Sequence, residues 1–156
     1  MTTATIEYGH LEHVDVHFDD LDPMGFVHNA RYAVLLERAI SLYWTREGFG
    51  YDATSVNGDG LMAVAEFTIN YRAPIRQTGP IGVHFWIERL GRTSAVYAYR
   101  VVSADATLTH AEGRRVMIKL DPATGRPGPW PERTLEIARR LTRDRTPDAL
   151  AAEKAA

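Results

Sequence analysis

The chain contains no cysteine, which removes disulfides, thiolate metal sites and a cysteine nucleophile together. Long apolar runs are missing as well: no stretch approaches the roughly 18 uninterrupted apolar residues of a membrane-spanning helix. The opening Met1-Thr-Thr-Ala-Thr-Ile-Glu-Tyr8 has no basic segment followed by an apolar one, as a secretory leader would. Nor is there a block of one charge sign. The 18 Lys and Arg against 20 Asp and Glu leave a net charge of -2, so neither nucleic acid nor a membrane surface is an expected partner. No internal repeat is visible. What remains is a soluble, cytoplasmic chain whose 156 residues are the size of one domain with a real core.

Against these absences, residues 18–37 concentrate chemistry. Asp19, Asp20 and Asp22 lead into Asp22-Pro23, a turn initiator, and Gly25 permits backbone angles closed to other residues. The chain is expected to reverse here and enter a helix with Asn29 near its N-cap. An acid then sits beside a helix N-terminus, whose unpaired N–H groups can hold an anion or polarise a carbonyl oxygen. That is the outline of an acyl-transfer site. A solvated, Asp-rich helix cap would have the same spacing.

Hydrophobic periodicity supplies the frame. Residues 13–18 alternate, with Val14, Val16 and Phe18 on one face of a half-buried strand and His13, Asp15 and His17 on the other. A helix follows over about 30–47, apolar around much of its circumference through Leu35, Leu36, Ile40, Leu42, Tyr43 and Trp44, so it must be wrapped by other structure. Strands are predicted at about 61–72, 81–90, 93–104 and 107–120, separated by turns at 77–80, 90–93 and 104–106. Beyond Leu120 the Pro- and Gly-rich run to Pro131 ends the strands. Residues 1–131 are therefore one α+β domain, with a curved antiparallel sheet around a long helix. Residues 132–156 add a short helix over 132–143 and a frayed, Ala-rich tail.

The run Phe18-x-Asp20-x-Asp22-Pro23-x-Gly25-x-Val27-x-Asn29-x-x-Tyr32-x-x-x-x-Glu37 resembles the signature of hotdog-fold acyl-CoA thioesterases of the 4-hydroxybenzoyl-CoA thioesterase type. It is also similar to their Gly-His-Val-Asn-Asn-x-x-Tyr variant, from which it departs at Phe26 and His28. The likeness of layout extends to about Pro131. It implies hydrolysis of an acyl-CoA or acyl-carrier-protein thioester by water, without metal or redox cofactor, in a homodimer or homotetramer whose sites draw on both subunits. Asp22 matches the family's catalytic aspartate, as general base or as nucleophile. Glu37, two turns into the helix, is the second choice of base, against a plain ion pair. Asn29 can orient water or the acyl group while backbone N–H groups near His28 and Asn29 meet the oxyanion. Gly25, His28 and Tyr32 would form the substrate pocket. Gly91-Arg92-Thr93-Ser94 resembles the family turn in which Arg and Ser meet the coenzyme phosphates, so Arg92 and Ser94 are binding candidates.

Two other classes remain. A noncatalytic acyl-CoA-binding module could use the same fold, and a hydratase would need a His paired with an acid in a motif not found here. His13-x-Asp15-x-His17 offers metal-ligand types on one strand face, but a solvent-facing strand explains the pattern better and no metal is expected.

Overall fold

The computed structural model describes residues 5–50 and 60–143. Strand β1 (His10–Val16) and a single 3-10 turn (Phe18–Asp20) precede helix α1 (Arg31–Arg46). Strands β2 (Met62–Tyr71), β3 (Gly79–Leu90), β4 (Ser94–Val102) and β5 (Thr109–Lys119) come next, then helix α2 (Glu132–Arg139). The strands form one antiparallel sheet in the order β1-β3-β4-β5-β2, with β1 and β2 at its edges. One long helix against an antiparallel sheet is the α+β hotdog architecture that the motif implies.

The core lies between α1 and one sheet face, where Leu35, Leu36, Val83, Phe85 and Val101 are sealed from solvent. Helix spacing explains the choice of side: Tyr32, Leu35, Leu36, Ala39 and Ile40 share one apolar stripe, and Leu42, off that stripe, is exposed. Tyr99 passes over Gly113 to donate its hydroxyl to the Thr68 carbonyl at 2.9 Å. A Cβ at Gly113 would stand 2.9 Å from that hydroxyl and closer still to Thr68, so only glycine fits.

Three expectations are corrected. Phe18 is 83% exposed, because β1 ends at Val16 and the 3-10 turn breaks the alternation that would have buried it. The N-cap of α1 is Ala30 rather than Asn29 and carries no side-chain cap. Strand β1 also begins earlier than predicted, at His10 rather than His13.

Helix α2 is shorter than 132–143, and the segment after Arg139 pairs with the sheet. The Leu141 carbonyl accepts the Ile87 N–H at 3.0 Å, while Ile137, Ala138 and Leu141 enter the same core as α1. The tail beyond Thr146 lies outside the described residues.

Candidate active site

The loop between β1 and α1 is held by a carboxylate other than the one the motif points to. Asp20 is fully buried and its Oδ2 accepts the His17 N–H at 2.9 Å and a guanidinium N–H of Arg38 at 3.2 Å. Arg31 Nε stands 3.7 Å from Oδ1. Arg31 and Arg38 are seven residues apart, two helical turns, so both reach back from one face of α1. Burial alone would raise the Asp20 carboxyl, but the His17 N–H and the Arg38 and Arg31 guanidiniums outweigh it and hold it below the usual carboxylate range.

With Asp20 fixed, the next turn closes tightly. Gly25 N–H donates to the Asp22 carbonyl at 3.0 Å, and Asp22 N–H to the Phe26 carbonyl at 2.7 Å. Gly25 sits at φ 80°, an angle that favours glycine; it shapes the turn and is absent from the groove wall. Oδ1 of Asp22 accepts the N–H groups of Met24 and Phe26 at 2.9 and 3.1 Å. Among the described residues Oδ2 receives no hydrogen bond, which leaves one carboxylate oxygen oriented and uncommitted.

Asp22 borders an open groove of about 570 Å3 together with His28, Asn29, Tyr32, Tyr71 and Arg72. The His28 N–H is committed to the Asp20 carbonyl at 2.8 Å, and its Nδ1 accepts the Ala30 N–H at 3.1 Å. The Asn29 N–H has no partner among the described residues, so of the two expected oxyanion donors one remains. The Asn29 carbonyl accepts the Tyr71 hydroxyl at 3.2 Å, which fixes the following peptide, Asn29–Ala30. Tyr32 is buried beneath, edge-on to Tyr71 at 5.2 Å. Burial raises its phenol above the ordinary value, against the effect of a hydrogen bond with the Ile75 backbone.

The other candidates stand elsewhere. Glu37 is half exposed and pairs with the buried Arg115 at 2.5 Å, at a second cavity of about 330 Å3 between α1, the sheet and α2. Arg92 is exposed on the β3–β4 turn, where its carbonyl accepts the Trp130 N–H at 3.1 Å. Ser94 begins β4, and its carbonyl accepts from Gly91 N–H at 2.8 Å and from Trp130 Nε1 at 3.3 Å. Ser94 pairs with Ile118 at the Met62 end of β2, whereas the Asp22 groove borders Tyr71 at the opposite end. Nine residues of β4 separate these ends, roughly 25 Å. In one chain, then, Asp22, His28, Asn29 and Tyr32 share a site that Glu37, Arg92 and Ser94 do not reach.

His17, Asp19 and Asp20 offer ligand atoms within 4.8 Å of one another, yet two guanidiniums already face Asp20, an arrangement that opposes a cation. His13 instead engages the Ala104 carbonyl at 2.9 Å. Neither the partners of Asp20 nor Arg115 was singled out from the sequence. The spacing of Arg31 and Arg38 was a usable signal for the first; the partner of Arg115 depends on which strand faces Glu37, and no local pattern carries that.

The family model for the thioesterase superfamily matches residues 24–110. The chain belongs to the thioesterase superfamily. The superfamily match opens just after Asp22 and takes in Asn29, Glu37, Arg92 and Ser94, while α2 lies outside it. The acyl-CoA thioester hydrolase YbgC of Escherichia coli is 28% identical over 119 residues, covering 76% of this chain and 87% of YbgC. A Thermus thermophilus thioesterase solved with coenzyme A and Zn is 32% identical with a TM-score of 0.68, over 84% of this chain and 92% of that one. The PA5185 protein of Pseudomonas aeruginosa, at 23% identity, shares the fold with a TM-score of 0.76 over 87% and 93% of the two chains. No helix among the described residues is long and apolar enough to cross a membrane.

Proposed function

We propose that this chain is a cytoplasmic acyl-CoA thioester hydrolase whose site is completed by a second copy of itself. The observation that carries the chemistry is the pairing of an oriented, uncommitted Asp22 Oδ2 with an uncommitted Asn29 N–H in one groove. In the base-catalysed course, Oδ2 takes a proton from water as the water oxygen attacks the thioester carbonyl carbon. Negative charge collects on the carbonyl oxygen facing the Asn29 N–H. The tetrahedral intermediate then breaks its C–S bond, and the thiolate leaves with the proton. If Asp22 attacks the acyl carbon directly instead, the C–S bond breaks and the thiolate leaves as a mixed anhydride forms, which water then hydrolyses to the free acid and the regenerated Asp22 carboxylate.

The exposed edge of β2 supports the dimer. Met62, Val64 and Tyr71 on that strand are 39%, 51% and 51% exposed, and an unpaired edge favours addition of another strand. A twofold axis pairs β2 with its copy antiparallel. The Met62 end of one chain then lies against the Tyr71 end of the other, bringing the Glu37–Arg115 cavity and the Arg92 turn of one copy toward the Asp22 groove of its partner. Tetramers would be pairs of such dimers.

A thiol-release assay over short, long and aromatic acyl-CoAs and an acyl-carrier protein, with light scattering of the same preparation, tests both parts. Release from acyl-CoA by a dimer or tetramer is expected. A monodisperse monomer would end the shared-site reading; tight acyl-CoA binding without release would make the chain a binding module.

A further inference from the structure

Most N–H and O–H groups on the walls of the Asp22 groove are spent inside the protein. The Met24 and Phe26 N–H groups go to Asp22 Oδ1, the Val27 N–H to the Ile75 carbonyl at 2.9 Å, and the Ala73 N–H to the His110 carbonyl at 3.1 Å. The Tyr71 hydroxyl goes to the Asn29 carbonyl, and Arg72 turns Nε and one terminal nitrogen to Glu112 at 3.0 and 2.6 Å. An oxyanion has several lone pairs, and the Asn29 N–H meets only one of them.

The ring of His28 holds a further donor. Its Nδ1 accepts the Ala30 N–H at 3.1 Å. A backbone N–H only donates, so Nδ1 carries no proton, and the one ring proton of this neutral imidazole is on Nε2. The fixing is local: the bond spans two residues, and the His28 carbonyl closes the same turn by accepting the Arg31 N–H at 2.8 Å. His28 is exposed and lines the groove, and among the described residues Nε2 has no partner. Neutrality suits the chemistry. An imidazolium beside Asp22 would stabilise the carboxylate and make it a weaker base, whereas a neutral N–H polarises a carbonyl oxygen and leaves the base intact.

We propose that His28 Nε2–H is a second oxyanion donor, acting beside the Asn29 N–H on the thioester carbonyl oxygen. This role deepens the hydrolase reading and rests on it. The proton stays on Nε2 throughout. As the bond to the acyl carbon forms, charge collects on the carbonyl oxygen and the hydrogen bond strengthens; as the C–S bond breaks, the charge leaves with sulfur.

The experiment separates the donor from the cap. His28→Ser keeps a side-chain oxygen able to accept the Ala30 N–H but has no donor reaching as far as Nε2, while His28→Gln places an amide N–H at a similar distance from the backbone. In His28→Ser, kcat for acyl-CoA should fall by about tenfold to a hundredfold with KM nearly unchanged, and His28→Gln should recover most of the loss. The loss should be the same for thioesters of alkyl thiols and of the better-leaving aryl thiols, because the contact is to oxygen. A loss confined to alkyl thioesters would overturn the proposal by making His28 a proton donor to sulfur, and so would unchanged turnover in His28→Ser. Infrared spectra of a bound ketone analogue of acyl-CoA, with a methylene in place of sulfur, read the same contact without turnover. The carbonyl stretch should lie lower in the unaltered protein than in His28→Ser; equal frequencies, or no bound ketone, would overturn the proposal. Nitrogen NMR of the labelled His28 ring in the unaltered protein should show the proton on Nε2, and a proton on Nδ1 would overturn the proposal whatever the variants do. If the unaltered protein released no thiol from any substrate, the hydrolase reading would fail, and the ketone spectra would still decide the contact.

Discussion

The Asp22 groove is open, built on loop residues, and holds a carboxylate oxygen and an N–H that no protein group satisfies among the described residues. The cavity beneath α1 is walled by strands and helices, and its buried charge, Arg115, is already matched by Glu37. The difference separates two tasks. Chemistry needs polar groups left free and a backbone held in unusual geometry, which a braced loop can supply. Selectivity needs apolar shape, which packed secondary structure holds with less movement. The brace of the groove is Asp20, and it makes the loop behave as part of the scaffold.

The largest effect should come from Asp22→Asn, which keeps the turn hydrogen bonds but removes the base and nucleophile. Turnover should fall by a factor on the order of a hundred to ten thousand, with the affinity for a nonhydrolysable acyl-CoA unchanged or tighter. Glu37→Gln, measured alongside, should lose less than about tenfold. The reverse order would move the base from the groove to the cavity mouth.

Asp20→Asn tests the brace. Removing its charge leaves the Arg31 and Arg38 guanidiniums facing a neutral group; because solvent reaches both arginines, the loss of unfolding stability should be about 2 kcal/mol in denaturant titration. The pH dependence has a definite sign. With the folded value held below the ordinary 3.8, the stabilisation is complete above that pH and is lost as pH falls through the folded value. The Asn variant should lack this acid-side loss. An unchanged acid transition would remove Asp20 as the anchor.

Smaller effects separate backbone from side chain and near from far. Asn29→Ala should cost less than about tenfold in turnover, because the N–H assigned to the oxyanion belongs to the main chain; a loss as large as that of Asp22→Asn would give the amide side chain the role. Arg92→Ala should raise KM for acyl-CoA by about threefold with little change in kcat, and less so at high salt, as a remote phosphate contact would. A minimal thioester without the nucleotide should show no such change.

Much of the frame was legible locally. Period-two runs and turn residues placed all five strands, and the apolar circumference of α1 required a sheet to wrap it, because backbone geometry repeats every two or 3.6 residues. The motif located the loop and its acid for a similar reason: Pro23, Gly25 and Asp22 act on neighbouring backbone. Locality also explains the errors. Phe18 followed the alternation until the 3-10 turn ended it, and Asn29 had the composition of a cap while Ala30 occupied the position.

The sequence by itself determined where the chain turns, which faces are apolar and which acid stands before the helix. Only the tertiary structure decided that Asp20 is the buried brace, that His28 spends its N–H on it, that Glu37 meets Arg115, and that Arg92 and Ser94 lie at the far end of the sheet. The Glu37–Arg115 pair and the place of Arg92 and Ser94 depend on strand order and register, which no single segment encodes, whereas the Asp20 contacts lie within 18 residues and depend on how the loop folds back onto α1.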